Sequence, residues 1–181
     1  MITKGSILIS EPFLGDANFE RTVILLCEHN ENGSLGYILN KPTNVELATV
    51  VPDFEQYKGV LYVGGPVAQN SVHFIHRSSY NLLDDIEIQD GIFWGGNFEE
   101  LKTSIENGNI NSNDIRFFVG YSGWGAGQLD AEIQNKSWII GNASSDELFD
   151  IEPAKFWREI LKNMGGRFKA LANYPIDPRL N

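Results

Sequence analysis

One cysteine, Cys27, occurs in 181 residues. No intramolecular disulfide can form, and nothing demands an oxidising compartment. Histidine is nearly as scarce: there are three, His29, His73 and His76, and none follows His76. They form no Cys/His cluster of zinc spacing, so no metal site is expected. No apolar run approaches the ~20 residues of a membrane-spanning helix. The opening Met1-Ile2-Thr3-Lys4-Gly5-Ser6 lacks the apolar core of a secretory signal, and the cytoplasm is the expected compartment. Basic residues are few, 14 against 24 acidic, for a net charge of −10. That balance argues against contacts with a nucleic-acid backbone and against an anionic membrane surface. Neither Gly-x-Gly-x-x-Gly nor Gly-Lys-Ser/Thr is present, so no nucleotide fingerprint exists and no cofactor is expected.

What is present describes an ordinary globular chain. Hydrophobic residues make up 42%, and the length suits one domain with a substantial core. Strands are expected over Ser6–Ile9, Thr22–Cys27, Leu35–Leu39, Val60–Val63, Val72–Ile75, Ile86–Ile88, Ile92–Trp94 and Trp138–Ile140. The continuous apolar run of Thr22–Cys27 suits a strand buried on both faces. Asn32-Gly33 makes residues 22–39 a hairpin. Val72–Ile75 reads as the partner of Val60–Val63. Thr43 and Glu46 have the spacing of a capping box and predict a short helix ended by Pro52. Asn97 and Glu100 predict another cap, with Gly108 as the stop. Pro153–Met164 keeps a helical period, Phe168–Ala172 adds a turn or two, and Tyr174–Pro178 reads as an irregular tail. Short strands with irregularly inserted helices favour an α+β fold.

The most distinctive stretch runs from Ile115 to Glu132. An apolar β-type run to Val119 is followed by Gly120, Gly123, Gly125 and Gly127, then by helix formers over Ala126–Gln134. Strand, glycine-rich turn, helix is the expected arrangement. Such a turn can offer backbone N–H groups to an anion, or serve as a structural corner. Ser122 stands where a nucleophile elbow would place its serine. However, Trp124 fills a slot that needs glycine, and no histidine follows. A serine that caps the turn is the bland alternative. His73 and His76 lie three apart, on opposite faces of a strand. Asp16 sits in a loop where carboxylates commonly cap turns. Lys155, Arg158, Lys162, Arg167, Lys169 and Arg179 make the C-terminal segment basic, as a docking face or a solvated helix face.

These residues carry a resemblance to the YqgE/AlgH family of bacterial proteins, over nearly the whole length. It rests on Gly5, Leu8, Pro12, Asp16, Phe19, Arg21 and Thr22-Val23, then on His29, Gly33, Gly36 and Asn40-Lys41-Pro42. Gly64-Gly65-Pro66-Val67 forms a second block. Gly120-Tyr121-Ser122-Gly123-Trp124 with Gly127-Gln128-Leu129, Glu132 and Trp138 forms the third. Asp130 departs from the pattern, where Glu is commoner, as does the tail Asp177–Asn181. The resemblance implies a compact α+β domain spanning residues 1–181. Its sheet would be branched, mixed or antiparallel, and partly barrel-like, with surrounding helices. The family has no established enzyme activity and is often described as transcriptional regulators, through a proposed link to alginate production. The strongly acidic chain, without a helix-turn-helix signature, fits regulation through a protein partner or a small anionic ligand better than direct DNA contact.

One cleft is expected to gather Asp16, His29, Asn40, Lys41, Gly64, Gly65, Ser122, Gly123 and Gln128, because polar and glycine residues at strand ends are where sites tend to lie. No residue is assigned as catalytic. The alternatives are a small-anion binder or hydrolase-type enzyme using residues 120–132, and glycines that only set the corners of a complicated sheet.

Overall fold

The computed structural model describes residues 2–52, 54–77 and 82–175. Ten strands form one sheet: β1 (Ile7–Ser10), β2 (Val23–Asn30), β3 (Gly33–Ile38), β4 (Pro42–Glu46), β5 (Val60–Val63), β6 (Val67–Arg77), β7 (Ile86–Gln89), β8 (Ile92–Trp94), β9 (Ile115–Gly125) and β10 (Trp138–Gly141). The main path runs β10-β1-β2-β3-β9-β6-β8-β7. A side branch places β5 parallel to β9 and β4 antiparallel to β5. Among the described residues six α-helices pack against the sheet: α1 (Leu47–Val50), α2 (Phe98–Glu106), α3 (Gln128–Gln134), α4 (Ser145–Asp150), α5 (Pro153–Met164) and α6 (Gly166–Leu171). The branched α+β arrangement expected from the sequence is present. The sheet stays open, with β10 and β7 as its outer strands, and does not close into a barrel.

Strand alternation sends neighbouring residues to opposite faces, and here both faces are covered. Ile7 and Ile9 join Val23, Leu25 and Cys27 under α5, whose Phe156, Trp157, Ile160 and Leu161 are buried. Leu8, Ile24 and Leu26 face the other way, onto Leu129 of α3 and the indoles of Trp124 and Trp138. A third cluster joins Phe74, Phe117 and Leu61 to Leu47 of α1 and Leu101 of α2. The β2 run is therefore buried on both faces, as its unbroken apolar sequence requires.

The branch is made by one peptide group. Along one edge of β9, residues 117–119 pair with β5 and residues 122–125 pair with β3. At the fork the Gly64 amide donates to the Val119 carbonyl at 2.9 Å. The Gly64 carbonyl accepts both the Ile38 amide at 2.9 Å and the Ser122 hydroxyl at 3.0 Å. A Cβ on Gly64 would run into the Gly120 carbonyl oxygen, and one on Gly65 into the Tyr121–Ser122 peptide. Gly120 itself has φ +69°, with Gly65 O and Val67 O at 2.7 and 2.8 Å from its Cβ position. Glycine is needed here for close backbone approach.

Several local expectations change. The strand does not end at Val119; it runs through Gly120 and Gly123 to Gly125, and the helix starts only at Gln128. The glycine-rich stretch is therefore mostly strand, because its backbone is claimed by β3 on one side and β6 on the other. Thr43 caps no helix: its hydroxyl donates to Leu61 O at 2.9 Å, which ties residues 42–46 to β5 as a strand. β6 pairs with β9 and β8 rather than with β5. Helix α4 is an addition, opened by a capping box of Ser144 and Glu147. Asn97 caps α2 as expected, but Glu100 turns to the Leu83 amide instead of closing the box. Part of the expected loop at 78–85 and most of the tail, with Arg179, lie outside the described residues.

His76 on β6 is fully buried. Its ring stacks on Phe93 at 5.3 Å, neither ring nitrogen has a hydrogen-bond partner among the described residues, and Nε2 stands 3.5 Å from the Asp85 carboxylate. Burial pushes its pKa below the ordinary histidine value, with Asp85 opposing. Half-buried His73 is lowered the same way.

Two predictions follow from this packing. Gly64→Ala should cost about 3 kcal/mol or more, at or beyond the usual ~1–3 kcal/mol of overpacking, because the obstacle is backbone. Gly125→Ala, whose Cβ would meet only Gln128 Oε1 at 3.9 Å, should stay within ~0.5 kcal/mol in urea unfolding. For the histidines, a lowered folded pKa means the unfolded chain binds more protons below pH ~6.5, so stability falls as pH drops through that value. His76→Leu should flatten that acid-side decline in urea midpoints taken between pH 7.5 and pH 5. An unchanged decline would remove His76 as its source.

Candidate functional site

The nine residues expected to share one cleft separate into groups. Asp16, Asn40 and Lys41 do come together, around the loop before β2. Asp16 Oδ1 accepts the Asn18 amide at 2.8 Å. Asn40 accepts the Val23 amide and donates to Arg21 O, both at 2.9 Å. Lys41 Nζ donates to the carbonyls of Ala17 and Asn18 at 3.2 and 2.7 Å. Burial lowers the Lys41 pKa, against Glu20 and Asp16. Every one of these bonds ends on backbone, so the trio clamps a loop.

Gly64, Gly65 and Ser122 form the branch point. Ser122 is completely buried and its hydroxyl is spent on Gly64 O, so it is neither exposed nor activated. Ser122 is therefore not placed to act as the nucleophile of the hydrolase alternative, which needs an accessible side chain beside a base. His29 bonds Ser34 Oγ at 2.8 Å across the β2–β3 hairpin. Gly123 lies opposite Leu35 and lines a shallow groove with Glu28 and Asn30. Gln128 closes the turn into α3: Oε1 accepts the Gly125 amide at 3.0 Å and Nε2 donates to Glu132 at 2.9 Å. The Gly125 amide is thus already occupied by a side chain of the turn itself. Glu132, named from the sequence only as the end of the glycine-rich stretch and in the third block of the resemblance, accepts both the Trp124 and Trp138 indole N–H groups, at 2.9 and 2.8 Å.

The residue that sequence reading passed over is Arg116. It sits in β9 between Ile115 and Phe117, and only 6% of it is exposed. Strand alternation sends it to the same face as Phe118, beneath α4. Its guanidinium donates to Leu39 O at 3.1 Å and Phe149 O at 3.3 Å. The Tyr62 and Phe149 rings lie 4.8 and 5.6 Å from its central carbon. Among the described residues no carboxylate lies within ion-pair distance of it. Burial pushes its pKa below the ordinary arginine value, though arginine remains charged. Arg77, on the neighbouring strand, is the opposite case. It is bound by Asp114 at 2.9 Å, Asp146 at 3.1 Å and Asp150, and Asp150 foremost, with Asp114, holds its pKa up.

Both arginines line a cleft of about 620 Å³ together with Tyr57, Lys58, Tyr62, Ser112, Asn113 and Asp150. Of its three lining cations, Arg77 is paired with Asp114, Asp146 and Asp150, which leaves Lys58 and Arg116 as the cations the lining carboxylate Asp150 does not bind. A buried charge without a counter-charge is costly unless hydrogen-bonded and paired. Two carbonyls and two ring faces partly offset that cost, and an entering anion would supply the counter-charge. The sequence signal for this site was a single arginine inside an otherwise apolar strand.

The geometry can be set beside known proteins. A model of the family described as AlgH-like matches residues 7–169. A UPF0301 protein of Cytophaga hutchinsonii is 49% identical, with all of both chains covered. A UPF0301 protein of Parabacteroides distasonis is 39% identical, over 98% of this chain and 91% of its own. Among solved structures, AlgH of Pseudomonas aeruginosa is similar at TM-score 0.74 and 28% identity, covering 95% of this chain and 94% of its own. Protein DIP2367 of Corynebacterium diphtheriae, at TM-score 0.81 and 23% identity over 96% and 93%, shares the fold. With a family model matching residues 7–169 and relatives 39–49% identical over nearly the whole length, the chain belongs to the AlgH-like family.

Proposed function

We propose that this protein binds a small anion, bearing a carboxylate or phosphate group, in the Arg116 cleft. Any regulatory role, including the transcriptional one that the family resemblance implies, would run through that ligand or a protein partner. The observation that carries this reading is the Arg116 guanidinium, nine-tenths buried in a cleft and without a carboxylate of its own among the described residues. A structural arginine is ordinarily paired, as Arg77 is. Lys58 on the rim adds positive potential, whereas Arg77 is neutralised by its own carboxylates, and Ser112 and Asn113 add neutral donors. The concave shape selects a small ligand. The net charge of −10 weighs against a nucleic-acid backbone, which needs an extended basic surface.

A thermal-shift series with inorganic phosphate, a phosphate monoester and a dicarboxylate tests this. Ligand at a hundred times its Kd stabilises by about 2.7 kcal/mol. In a chain of this size that is a rise of roughly 5–10 °C. Arg116→Met should abolish the rise while the ligand-free variant melts at the same or a higher temperature, because an uncompensated buried charge has been removed. Lys41→Ala should keep the full rise. A flat response to all three anions at low ionic strength, or a rise that survives Arg116→Met, would overturn the reading.

A further inference from the structure

The outer strand β10 has an unusual surround. It pairs with β1 alone, in the register Ser10↔Trp138, Ile9↔Ile139, Leu8↔Ile140 and Ile7↔Gly141. The Glu11 amide donates to Ser137 O at 3.2 Å, and the Ser10 amide to Thr22 O at 3.0 Å. Antiparallel ladders alternate bonded and non-bonded pairs. The odd-numbered residues of β1 therefore bond β10, and the even-numbered ones bond β2. On β10 the ladder to β1 uses Ile139 and Gly141, so the amide and carbonyl groups of Trp138 and Ile140 point away from the sheet. No hydrogen bond to them occurs among the described residues beyond this ladder.

Those two residues lie along a groove of about 610 Å³ between β10 and α6, walled on the far side by Phe168 and Leu171. Its charged residues are Glu11, Lys136 and Arg167, a net positive lining on a chain of net −10. Arg167 and Lys136 are exposed, and the Arg167 guanidinium lies 4.8 Å over the Phe168 ring, which fixes it on the groove wall. Arg167 and Lys136 both act on the partly buried Glu11 carboxyl, opposing the rise that burial causes. The end of the groove is held by Tyr174: its ring stacks on Phe13 at 5.9 Å, and its carbonyl accepts Arg21 at 2.6 Å.

We propose that this edge is a docking surface for an extended, acidic segment of a partner protein, which adds to β10 as a further strand. The two outward ladder residues supply main-chain bonds, the groove takes alternate apolar side chains, and Lys136 and Arg167 take carboxylates. A second copy of this chain is the poorer fit, since it would bring the same net positive edge to this one. The site is separate from the Arg116 cleft and does not depend on an anion binding there.

The probe is a capped heptapeptide alternating valine with glutamate and threonine, titrated into the full chain while backbone amide exchange is followed by NMR. The amides of Trp138 and Ile140 should be slowed at least fivefold at saturation, with those of Ile139 and Gly141 little changed. A lysine-for-glutamate peptide should bind at least tenfold more weakly. Arg167→Glu, an exposed change that the fold should tolerate, should reverse that preference. A peptide N-methylated on alternate residues should not bind. Equal binding of the acidic and lysine peptides, or unchanged exchange at millimolar acidic peptide, would overturn the proposal. So would protection of the two amides without peptide that is lost on dilution, which assigns the edge to a second copy. Protection lost on deleting residues 176–181 would overturn it too, assigning the edge to the chain's own end.

Discussion

Everything in this fold passes through the peptide group of Gly64. Its amide holds β5 to β9, and its carbonyl takes one hydrogen bond from β3 and another from the Ser122 hydroxyl. Two strands can share one edge of β9 only because the three backbones approach closer there than any side chain allows. The fork turns β5 and β4 out of the main path and gives the sheet a second apolar face, filled by Phe117, Phe74 and the helices α1 and α2. It also explains a buried hydroxyl in the middle of a strand. Ser122 satisfies the second lone pair of a carbonyl that would otherwise be under-bonded in the core.

The same strand that makes the fork delivers Arg116. The N-terminal half of β9 alternates Ile115 and Phe117 toward one core and Arg116 and Phe118 toward the other. An arginine placed so deep is stabilised locally by carbonyl oxygens and aromatic faces, a weaker compensation than a carboxylate gives. Asp150, the carboxylate at the cleft, is bound instead to Arg77. The two arginines thus divide the work. Arg77 gathers the local acids and fixes α4 against the sheet. Arg116 is left with positive potential facing the cleft. That division, rather than the presence of arginine as such, is what leaves the guanidinium at the cleft without a carboxylate among the described residues.

Much of the architecture was legible because it rests on short-range patterns. The unbroken Thr22–Cys27 run, the Asn32-Gly33 turn, the Asn97 cap and the period of Pro153–Met164 each declare an element locally. Where tertiary pairing competes, the same signals mislead. Thr43…Glu46 and Ser144…Glu147 have identical capping-box spacing. The second opens α4, whereas the first is overridden by pairing with β5, to which Thr43 gives its hydroxyl. The glycines at 120 and 123 read as a turn, yet they belong to a strand that needs them for what crosses it. The partition of the site residues was not legible for the same reason. Asp16, Asn40 and Lys41 look functional because they are polar and sit at strand ends, but their partners are backbone groups of a loop. Arg116 looked like part of an apolar run because its significance lies in which other residues fail to pair with it.

The charge distribution ties these features together. On a chain of net −10, diffuse electrostatics repel anions from most of the surface. Binding an anion then requires cations confined where solvent and salt screen them least. The Arg116 cleft meets that condition through burial, whereas the exposed Lys136 and Arg167 of the β10 groove offer only a local, more strongly screened field. Acidic character elsewhere would then be part of the selectivity of the two proposed sites. It disfavours polyanions, which must lie across the repelling surface, more than small anions or single acidic segments, which would touch only the local positive field.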